Sequence, residues 1–361
     1  MKTSFFFLLL LSFNLTAQPD KKPGQHSLEQ QIDSIITHYQ EVYEIPGLSV
    51  GVVQADAVLF NRAYGVKNIH TNDPVSTGSI FHAASVSKLF TAQAIMLLSR
   101  DGKLHLEDRV VDLLPELTYA DEAFEQVTVK QLLNHTAGLP DVNNYHWHRN
   151  NEEDISLARY MLSQKFKLDH APGTAFRYSN LAYDLLGYII ARHSGTSFED
   201  YIKANILLPN QMIESDFRYF LIADSLRVSP HSERRILGNI YPRSVYPYTR
   251  EHAASSTLNT STTELNHWMV AVLRDLRTHG EEGVFGPMIE SSTSLTPHIG
   301  LGFQRFEVAG FQVAGHYGGD RGFRSYLLLV PEKNLGLILL ANCDYNEDFR
   351  QDILHNILRL L

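Results

Sequence analysis

The sequence S-V-S-K-L-F-T-A-Q-A-I-M-L-L, residues 85–98, places a polar motif directly before an apolar run. The apolar run predicts a helix that ends near Asp101-Gly102. Because residues three apart on a helix share a face, the Lys88 ammonium can approach the Ser85 hydroxyl. The helix dipole also favours negative charge that develops on a serine at its N-terminus. The stretch predicts a nucleophilic serine beside an amine; the ordinary alternative is an N-cap serine followed by a solvated lysine.

Two later motifs carry further reactive groups. The motif Y-S-N at residues 178–180 precedes an apolar helix, so Tyr178 and Asn180 project a phenol and an amide toward one side. The motif H-Y-G-G at residues 316–319 stands at the end of a predicted strand, where glycine beside His316 permits close approach of the backbone, as an oxyanion donor requires. Taken alone, each motif is equally compatible with a plain turn.

Strand patterns occur at both ends of the chain. Residues 48–53 and 57–64 predict a hairpin around Ala55-Asp56, and a helix with a Ser27/Gln30 capping box precedes them. Near the C-terminus, strands are predicted over 301–308, 311–316, 323–330 and 335–340, followed by a helix over 348–360. We therefore expect an α+β or α/β fold, in which one antiparallel sheet is formed from both terminal segments and flanked by helices.

The middle of the chain predicts helices, including one capped by Thr128 that runs through Leu133 and one over 181–190. We assign about 27–80 and 290–361 to a sheet region and about 81–289 to a mostly helical region of one catalytic domain, 27–361. Residues 205–256 are rich in Pro, Ser, Arg and Tyr and predict an irregular loop, which is either functional or a surface insertion.

In combination, the three motifs resemble the class C β-lactamase, D-Ala-D-Ala carboxypeptidase and esterase-like family of penicillin-recognising hydrolases. The order is S-x-x-K, then Y-x-N in the S-D-N place, then a strand motif ending in glycine. The stretches Q-L-L-N-H-T-A-G-L-P (131–140), D-G-K-L (101–104) and 178–187 also resemble this family. The resemblance runs from about residue 30 to the C-terminus and implies a β-lactamase/transpeptidase-like fold.

This resemblance implies that Ser85 attacks a carbonyl and forms an acyl-enzyme, with its own N–H and that of Gly319 as the oxyanion hole beside Gly318. Lys88 would accept or relay the serine proton, and Tyr178 would act as base in acylation and help activate the deacylating water.

Two further roles follow from the resemblance. Asn180 would bridge Lys88 and a substrate amide, and His316 would lend a donor near Tyr178. The implied substrate is an amide or ester, such as a D-amino-acid peptide, a β-lactam or a simple ester. The alternative is a non-catalytic penicillin-binding or sensor domain on the same fold.

The identity of the general base stays open at this level. A tyrosine base near neutrality needs a pKa about three units below 10, roughly 4 kcal/mol, which one cation at about 4 Å provides at an effective dielectric of about 20. Burial of Tyr178 would oppose that change. The alternative base is a neutral Lys88.

The sequence departs from the family pattern at two places. Residues 316–318 read H-Y-G where β-lactamases carry K-T-G, so Tyr317 removes a hydroxyl that helps to hold a substrate carboxylate. Residues 252–256 read H-A-A-S-S instead of the P-A-G-G usual in the family, which suggests an altered wall of the site. The change at Tyr317 weakens the case for a strong β-lactamase.

Composition narrows the class of protein. A net charge of -9 over 361 residues disfavours a nucleic-acid partner. Residues 1–17 predict a signal peptide and 18–26 a loose leader, so we expect an exported, periplasmic or extracellular monomer without a membrane span after cleavage. The apolar run is shorter than the roughly 20 residues of a bilayer span; an uncleaved anchor is the alternative.

The remaining candidate residues point to ordinary structural roles. The single cysteine, Cys343, follows an apolar run and predicts a buried strand end rather than a nucleophile. His146 and His148 flank one residue without a carboxylate partner nearby, which is poor evidence for zinc, so no metal or cofactor is expected. Arg321 and Arg324 could meet an anionic substrate but are more typical of solvated strand edges.

Overall fold

The computed structural model describes residues 27–149, 151–234, 238–291 and 293–361; the predicted signal peptide and leader lie outside the described residues. The helices are α1 Leu28–Val42, α2 Ser87–Arg100, α3 Val110–Leu113, α4 Val129–Leu133, α5 Ser156–Ser163, α6 Asn180–Ser194, α7 Phe198–Ile202, α8 Ala253–Ser256, α9 Thr262–His279, α10 Phe285–Glu290 and α11 Phe349–Leu360. The strands are β1 Gly47–Gln54, β2 Ala57–Gly65, β3 Phe81–His82, β4 Thr118–Tyr119, β5 Lys165–Phe166, β6 His231–Arg234, β7 Asn239–Pro242, β8 Asn259–Thr260, β9 Gln304–Val308, β10 Phe311–Asp320, β11 Phe323–Val330 and β12 Leu335–Ala341.

The main sheet has six strands in the order β2-β1-β12-β11-β10-β9, and every neighbouring pair is antiparallel. The N-terminal hairpin joins the C-terminal strands through β1 and β12, with Val50 opposite Leu339. This confirms the sheet predicted from both termini. Every residue of β12 is buried, as expected for a central strand covered on both faces.

Helices cover both faces of this sheet. On the outer face, α1 and α11 pack over the apolar side chains of β1 and β12, with Ile36 and Ile353 in the same buried cluster as Leu337. On the inner face, α9 packs against β1 and β12 and contributes Trp268 to a larger cluster shared with α2 and α6. The sheet thus separates a small outer core from a large inner one.

Two strand predictions differ from the structure. Strand β9 begins at Gln304 rather than 301, because Gly302 has a φ of +87° and belongs to a turn. Strand β10 continues to Asp320 instead of ending at His316, so the H-Y-G-G motif lies within a paired strand and not at its end.

The helical region is organised around α2 and α6, which are buried along most of their length. Residues 205–256 are mostly irregular as predicted, but they contain the unpredicted hairpin β6–β7 and the short helix α8. The strands of this hairpin, H-S-E-R and N-I-Y-P, lack apolar alternation, so the sequence held no strand signal there. None of the helices in the described part of the chain combines the length and hydropathy needed to cross a bilayer.

Candidate active site

Ser85 lies in a 3₁₀ turn, Ala84–Val86, that leads directly into α2. Ala84 has a φ of +47°, a conformation that is unfavourable for a residue with a Cβ atom. Buried hydrogen bonds hold this turn: Ser87 Oγ donates to Ala84 O at 2.6 Å and accepts from Leu258 N at 2.9 Å. The turn leaves Ser85 partly exposed while its neighbours are buried.

The Lys88 ammonium is fully buried on the first turn of α2. Its Nζ donates to Ser85 Oγ at 3.1 Å, to Asn180 Oδ1 at 2.6 Å and to the Ser255 carbonyl at 2.7 Å. The predicted contact between Ser85 and Lys88 is therefore present. The solvated-lysine alternative does not fit this burial.

Burial lowers the pKa of Lys88 to about 8, because desolvation disfavours the ammonium. The carboxylates of Asp184, Asp141 and Asp320 act in the opposite direction and favour the charged form. A pKa near 8 leaves roughly one molecule in ten with a neutral amine at pH 7.

The partners of Lys88 determine where the lone pair of the neutral amine points. Asn180 Oδ1 and the Ser255 carbonyl can only accept hydrogen bonds, so they take the two remaining N–H groups. Ser85 Oγ is the contact that can also donate. The neutral amine thus directs its lone pair at the serine hydroxyl, the arrangement that a general base needs.

Tyr178 approaches the same hydroxyl from the loop before α6. Its OH donates to Ser85 Oγ at 3.0 Å, and the Lys88 Nζ lies 5.1 Å from the centroid of its ring. Desolvation raises the pKa of Tyr178 above its ordinary value, despite the hydrogen bond to Ser85. This direction is opposite to the one that a phenolate base requires.

Asn180 is held between two charged groups. Its Oδ1 accepts from Lys88, and its Nδ2 donates to Asp141 Oδ1 at 3.0 Å. Asp141 Oδ1 also accepts from the Asn180 backbone N–H at 2.8 Å, at the N-terminus of α6. Asp141, which directly follows the 131–140 stretch, therefore fixes the amide orientation, and sequence reasoning missed it because its partner is 39 residues away.

His135 holds the segment that precedes α6 in place. Its Nδ1 accepts from Ser179 N at 3.2 Å, and its ring lies 4.5 Å from that of Tyr178. Burial, with Lys88 nearby, lowers the pKa of His135 well below its ordinary value, so the ring is neutral and can accept this bond.

Strand β10 packs tightly against the turn that carries Ser85. A Cβ atom on Gly318 would lie 2.4 Å from the Ala83 carbonyl, so only glycine permits this approach. Ser325, opposite Gly318 on β11, donates from Oγ to the same carbonyl at 2.7 Å. These contacts set the distance between the strand and the serine.

The outer edge of β10 is free next to the site. Pairing with β9 ends at Gly315, and the Tyr317 N–H beyond it donates outward to Gln304 Oε1 at 3.3 Å. Because alternate residues of a strand direct their backbone groups to the same edge, the Gly319 N–H also points outward. This is the orientation that an oxyanion donor needs.

His316 faces the site from β10, with its ring centroid 6.2 Å from that of Tyr178. Its Nδ1 donates to the Tyr317 carbonyl at 2.5 Å. Desolvation and Lys88 lower the pKa of His316 to about 3, so the ring is neutral. Its Nε2 is then an acceptor and not the donor that the resemblance implied.

Two buried His–Asp pairs flank the site, and sequence reasoning identified neither. His82 on β3 contacts Asp320 at the end of β10, with 2.7 Å between Nε2 and Oδ2. His252, before α8, contacts Asp184 on α6 with 2.6 Å between Nδ1 and Oδ2. The unusual H-A-A-S-S stretch was the available signal for His252.

Several candidate residues lie away from the serine. Tyr317 stacks on Tyr326 at 3.9 Å on the outer side of the sheet, so its ring gives nothing to the site. Arg324 donates to Glu347 and to backbone carbonyls. Cys343 is buried, and desolvation raises the pKa of its thiol to about 12.

His148 lies in a 3₁₀ turn, Trp147–Arg149, and its ring centroid is 5.9 Å from that of His146, which precedes the turn. Within the described ranges, no group of three or more His, Cys, Asp or Glu side chains is placed to hold a metal ion.

A family model described as Beta-lactamase matches residues 32–361, which is nearly the whole chain. The chain belongs to the Beta-lactamase family.

Curated relatives agree with this family. Protein flp of Staphylococcus aureus is 29% identical over 326 residues, which cover 87% of this chain and 63% of that protein. A penicillin-binding protein of Bacillus subtilis is 27% identical over 339 residues, covering 88% of this chain and 74% of the relative. The chain thus spans less than two thirds of the length of protein flp.

Solved structures support the fold. An octameric penicillin-binding protein homologue from Pyrococcus abyssi superposes with a TM-score of 0.77 and 26% identity, covering 92% of this chain and 76% of that one. A class C β-lactamase superposes with a TM-score of 0.75 and 22% identity, covering 92% and 96%. The β-lactamase/transpeptidase-like fold expected from the motifs is confirmed, and the relatives support a serine hydrolase of the β-lactamase and penicillin-binding-protein superfamily.

Proposed function

We propose that this protein is an acyl-transfer serine hydrolase that cleaves an ester or amide through an acyl-enzyme on Ser85. The observation that carries the proposal is the convergence of two donors on one oxygen: Lys88 Nζ at 3.1 Å and Tyr178 OH at 3.0 Å from Ser85 Oγ. A half-buried serine hydroxyl with a buried amine and a phenol in contact is poised for nucleophilic attack.

Lys88 acts as the general base in this proposal. The neutral amine takes the proton from Ser85 Oγ as that oxygen bonds to the substrate carbonyl carbon. The resulting ammonium is held by Asn180 Oδ1 and the Ser255 carbonyl, which already accept from this nitrogen. The pKa of about 8 supports this role near neutrality, whereas the raised pKa of Tyr178 disfavours a phenolate base.

Tyr178 then acts as a neutral acid. Its hydroxyl donates a proton to the leaving nitrogen or oxygen as the tetrahedral intermediate collapses, and the Lys88 ammonium, which carries the former serine proton, then returns a proton to the Tyr178 phenolate, so that both groups are neutral again. In deacylation, the same groups act in reverse on a water molecule, which attacks the acyl carbon and releases Ser85.

The oxyanion of each tetrahedral intermediate is placed between the backbone N–H groups of Ser85 and Gly319. Each such donor contributes on the order of 3 kcal/mol to the transition state. The support is the outward direction of backbone groups at the free edge of β10 and the close contact of Gly318 with Ala83.

Esters and D-amino-acid peptides are the favoured substrates, with β-lactams less so. The position after His316 in the strand motif holds Tyr317, whose ring stacks on Tyr326 at 3.9 Å and brings no hydroxyl to the site. We also propose that the protein is exported to the periplasm or the extracellular space, on the signal-peptide pattern of residues 1–17.

A fluorescent fluorophosphonate and a fluorescent penicillin test the nucleophile. Wild type is expected to be labelled and Ser85→Ala not, while Ser99→Ala, which removes a hydroxyl near the other end of α2, keeps full labelling. Equal labelling of Ser85→Ala and wild type would overturn the assignment. Nitrocefin, p-nitrophenyl acetate and a D-Ala-D-Ala peptide, assayed side by side, identify the substrate class; stable labelling with no turnover of any of them indicates a binding domain.

A further inference from the structure

A cavity of about 260 Å³ lies between the loop that follows Asp141 and the turn that follows Asp320. The residues that carry the argument are Asn143, Asn144, Tyr145, Trp147, Arg243 and Arg321, all of which line it. Asp141 holds Asn180 at 3.0 Å, and Asp320 directly follows Gly319. The two walls of the cavity are therefore continuations of the two elements that carry the candidate active site.

Arg321 is available to a ligand. Its guanidinium lies over the Trp147 ring, 5.4 Å from the centroid, and thereby bridges the strand side and the helical side of the cleft. In the described part of the chain it has neither a hydrogen-bond acceptor nor a carboxylate within ion-pair distance. Stacking on an aromatic face leaves the N–H groups at the edge of the guanidinium free to donate.

Arg243 likewise has no carboxylate partner among the residues that the structure describes. Its Nη1 donates to Ser232 Oγ at 2.9 Å, and Ser232 in turn donates to Asp344 Oδ2 at 2.6 Å. Its Nε is buried without a hydrogen-bond partner. A buried donor in this state is unfavourable unless a water molecule or a bound group supplies an acceptor.

This arrangement contrasts with that of Arg250, a buried arginine of the helical region. Arg250 donates from Nε to Glu199 Oε1 at 2.7 Å and contacts Asp154 as well. In a chain with 40 acidic and 31 basic residues, a carboxylate partner for arginine is readily supplied. Arg243 and Arg321 line the same cavity, and neither has a carboxylate partner among the described residues. This arrangement points to an anionic ligand.

We propose that this cavity binds a carboxylate carried by the substrate at a distance from the bond that is cleaved. The proposal rests on the proposed acyl-transfer function and names its substrate class: acidic esters or amides. The planar forks of Arg243 and Arg321 match the two oxygens of a carboxylate, and the amides of Asn143 and Asn144 can supply further donors.

Matched esters test the preference. p-Nitrophenyl monoesters of succinic, glutaric and adipic acid are compared with neutral p-nitrophenyl esters of the same chain lengths. We expect kcat/KM to favour the acid at one chain length or more, and each of Arg321→Ala and Arg243→Gln to lower it about tenfold for the acid alone. The control Arg277→Ala, which removes an equal charge on α9, is expected to change neither.

The preference is wrong if neutral esters are hydrolysed as fast as acidic ones at every chain length, or if the arginine variants slow both alike. If neither ester is hydrolysed, that failure belongs to the proposed function, and binding decides the cavity. In Ser85→Ala, glutarate is titrated while Trp147 fluorescence is recorded, with Trp147→Phe as the signal control, because the other tryptophan, Trp268, is fully buried.

A saturable change with glutarate that Arg321→Ala abolishes supports the site. The absence of any saturable change overturns it. Saturation by inorganic phosphate but not by glutarate overturns the assignment of a carboxylate.

Discussion

The two sides of the candidate site each contain a buried His–Asp pair, but the pairs do different work. On the strand side, His82 contacts Asp320 at 2.7 Å and joins β3 to the end of β10. On the helical side, His252 contacts Asp184 at 2.6 Å, and both side chains are completely enclosed. Both pairs join an imidazole to a carboxylate, but different parts of the candidate site lie next to them.

The strand-side pair, His82 and Asp320, controls the geometry of the candidate site. His82 lies three residues before Ser85, and Asp320 lies one residue after Gly319, so their contact fixes the separation of the two predicted oxyanion donors. His82 Nδ1 is buried without a partner in the described structure, so a proton there would be unsatisfied. In the contact with Asp320, Nε2 donates and the carboxylate oxygen accepts.

The helical-side pair acts on charge. Asp184 is the carboxylate that most strongly favours the ammonium form of Lys88, against the desolvation that lowers its pKa to about 8. Its Oδ1 has no hydrogen-bond partner among the described residues, so its charge is little dispersed. Asp320 acts on Lys88 in the same direction but less strongly, so the strand-side pair mainly controls distance and the helical-side pair mainly controls proton affinity.

The largest expected effect is on the residue that both sides serve. Lys88→Met is expected to lower the acylation rate about 10³-fold, because it removes the proposed general base, and raising the pH does not restore activity. Stopped-flow acylation by p-nitrophenyl acetate measures this. A loss of less than tenfold would mean that another group removes the proton from Ser85.

Lys88→Met is also expected to change the pH dependence of protein stability. Below pH 8 the native state contains a buried Lys88 ammonium, and its desolvation lowers the free energy of unfolding by the full amount. This loss of stability disappears as the pH rises from about 8 toward the ordinary pKa of 10.5. The Tm of Lys88→Met relative to wild type is therefore expected to fall between pH 7 and pH 10. A Tm difference that is independent of pH would contradict the pKa of Lys88.

Breaking the strand-side pair is expected to have the next largest effect. His82→Leu removes the tie to Asp320 and should lower kcat about tenfold, a fraction of what loss of a whole oxyanion donor costs. KM and the pH midpoint of kcat/KM should change little, and His82→Gln, which keeps an N–H donor, should recover part of the rate. A shifted midpoint with unchanged kcat would instead assign this pair to proton affinity.

Removing the helical-side charge is expected to have the smallest effect on rate and a clear one on pH dependence. Asp184→Asn deletes the carboxylate that raises the pKa of Lys88, so that pKa falls further and the base-limited arm of kcat/KM moves to lower pH. Asp112→Asn, the same change at an exposed position on α3, is the control. An unmoved midpoint in Asp184→Asn would remove the distinction between the two sides.

Local sequence was sufficient for most secondary structure. The capping box Ser27/Gln30 and the helix cap at Thr128 are formed as the residues predict, and the hairpin turns at Ala55-Asp56. These features depend on neighbours a few positions apart, so the chain specifies them directly. The hairpin β6–β7 was missed, since its strands carry no apolar alternation.

The motif residues could also be identified from short spacings along the chain, but their protonation states could not. Spacing alone placed Lys88 near Ser85, the Y-S-N motif identified Tyr178 and Asn180, and the resemblance added the roles of these residues. The choice of base depended on desolvation, which lowers the pKa of Lys88 and raises that of Tyr178. Desolvation is a property of packing between distant segments, so no local pattern reports it.

What the sequence alone determined was the set of reactive groups, their order along the chain and the elements that present them. Tertiary structure decided which proton each group holds and which partners steady it: Asp141 for Asn180, Asp320 for His82, Asp184 for His252. These contacts join residues 39 to 238 positions apart. They form when the sheet and the helical region pack, because only then are the charges brought together and removed from water.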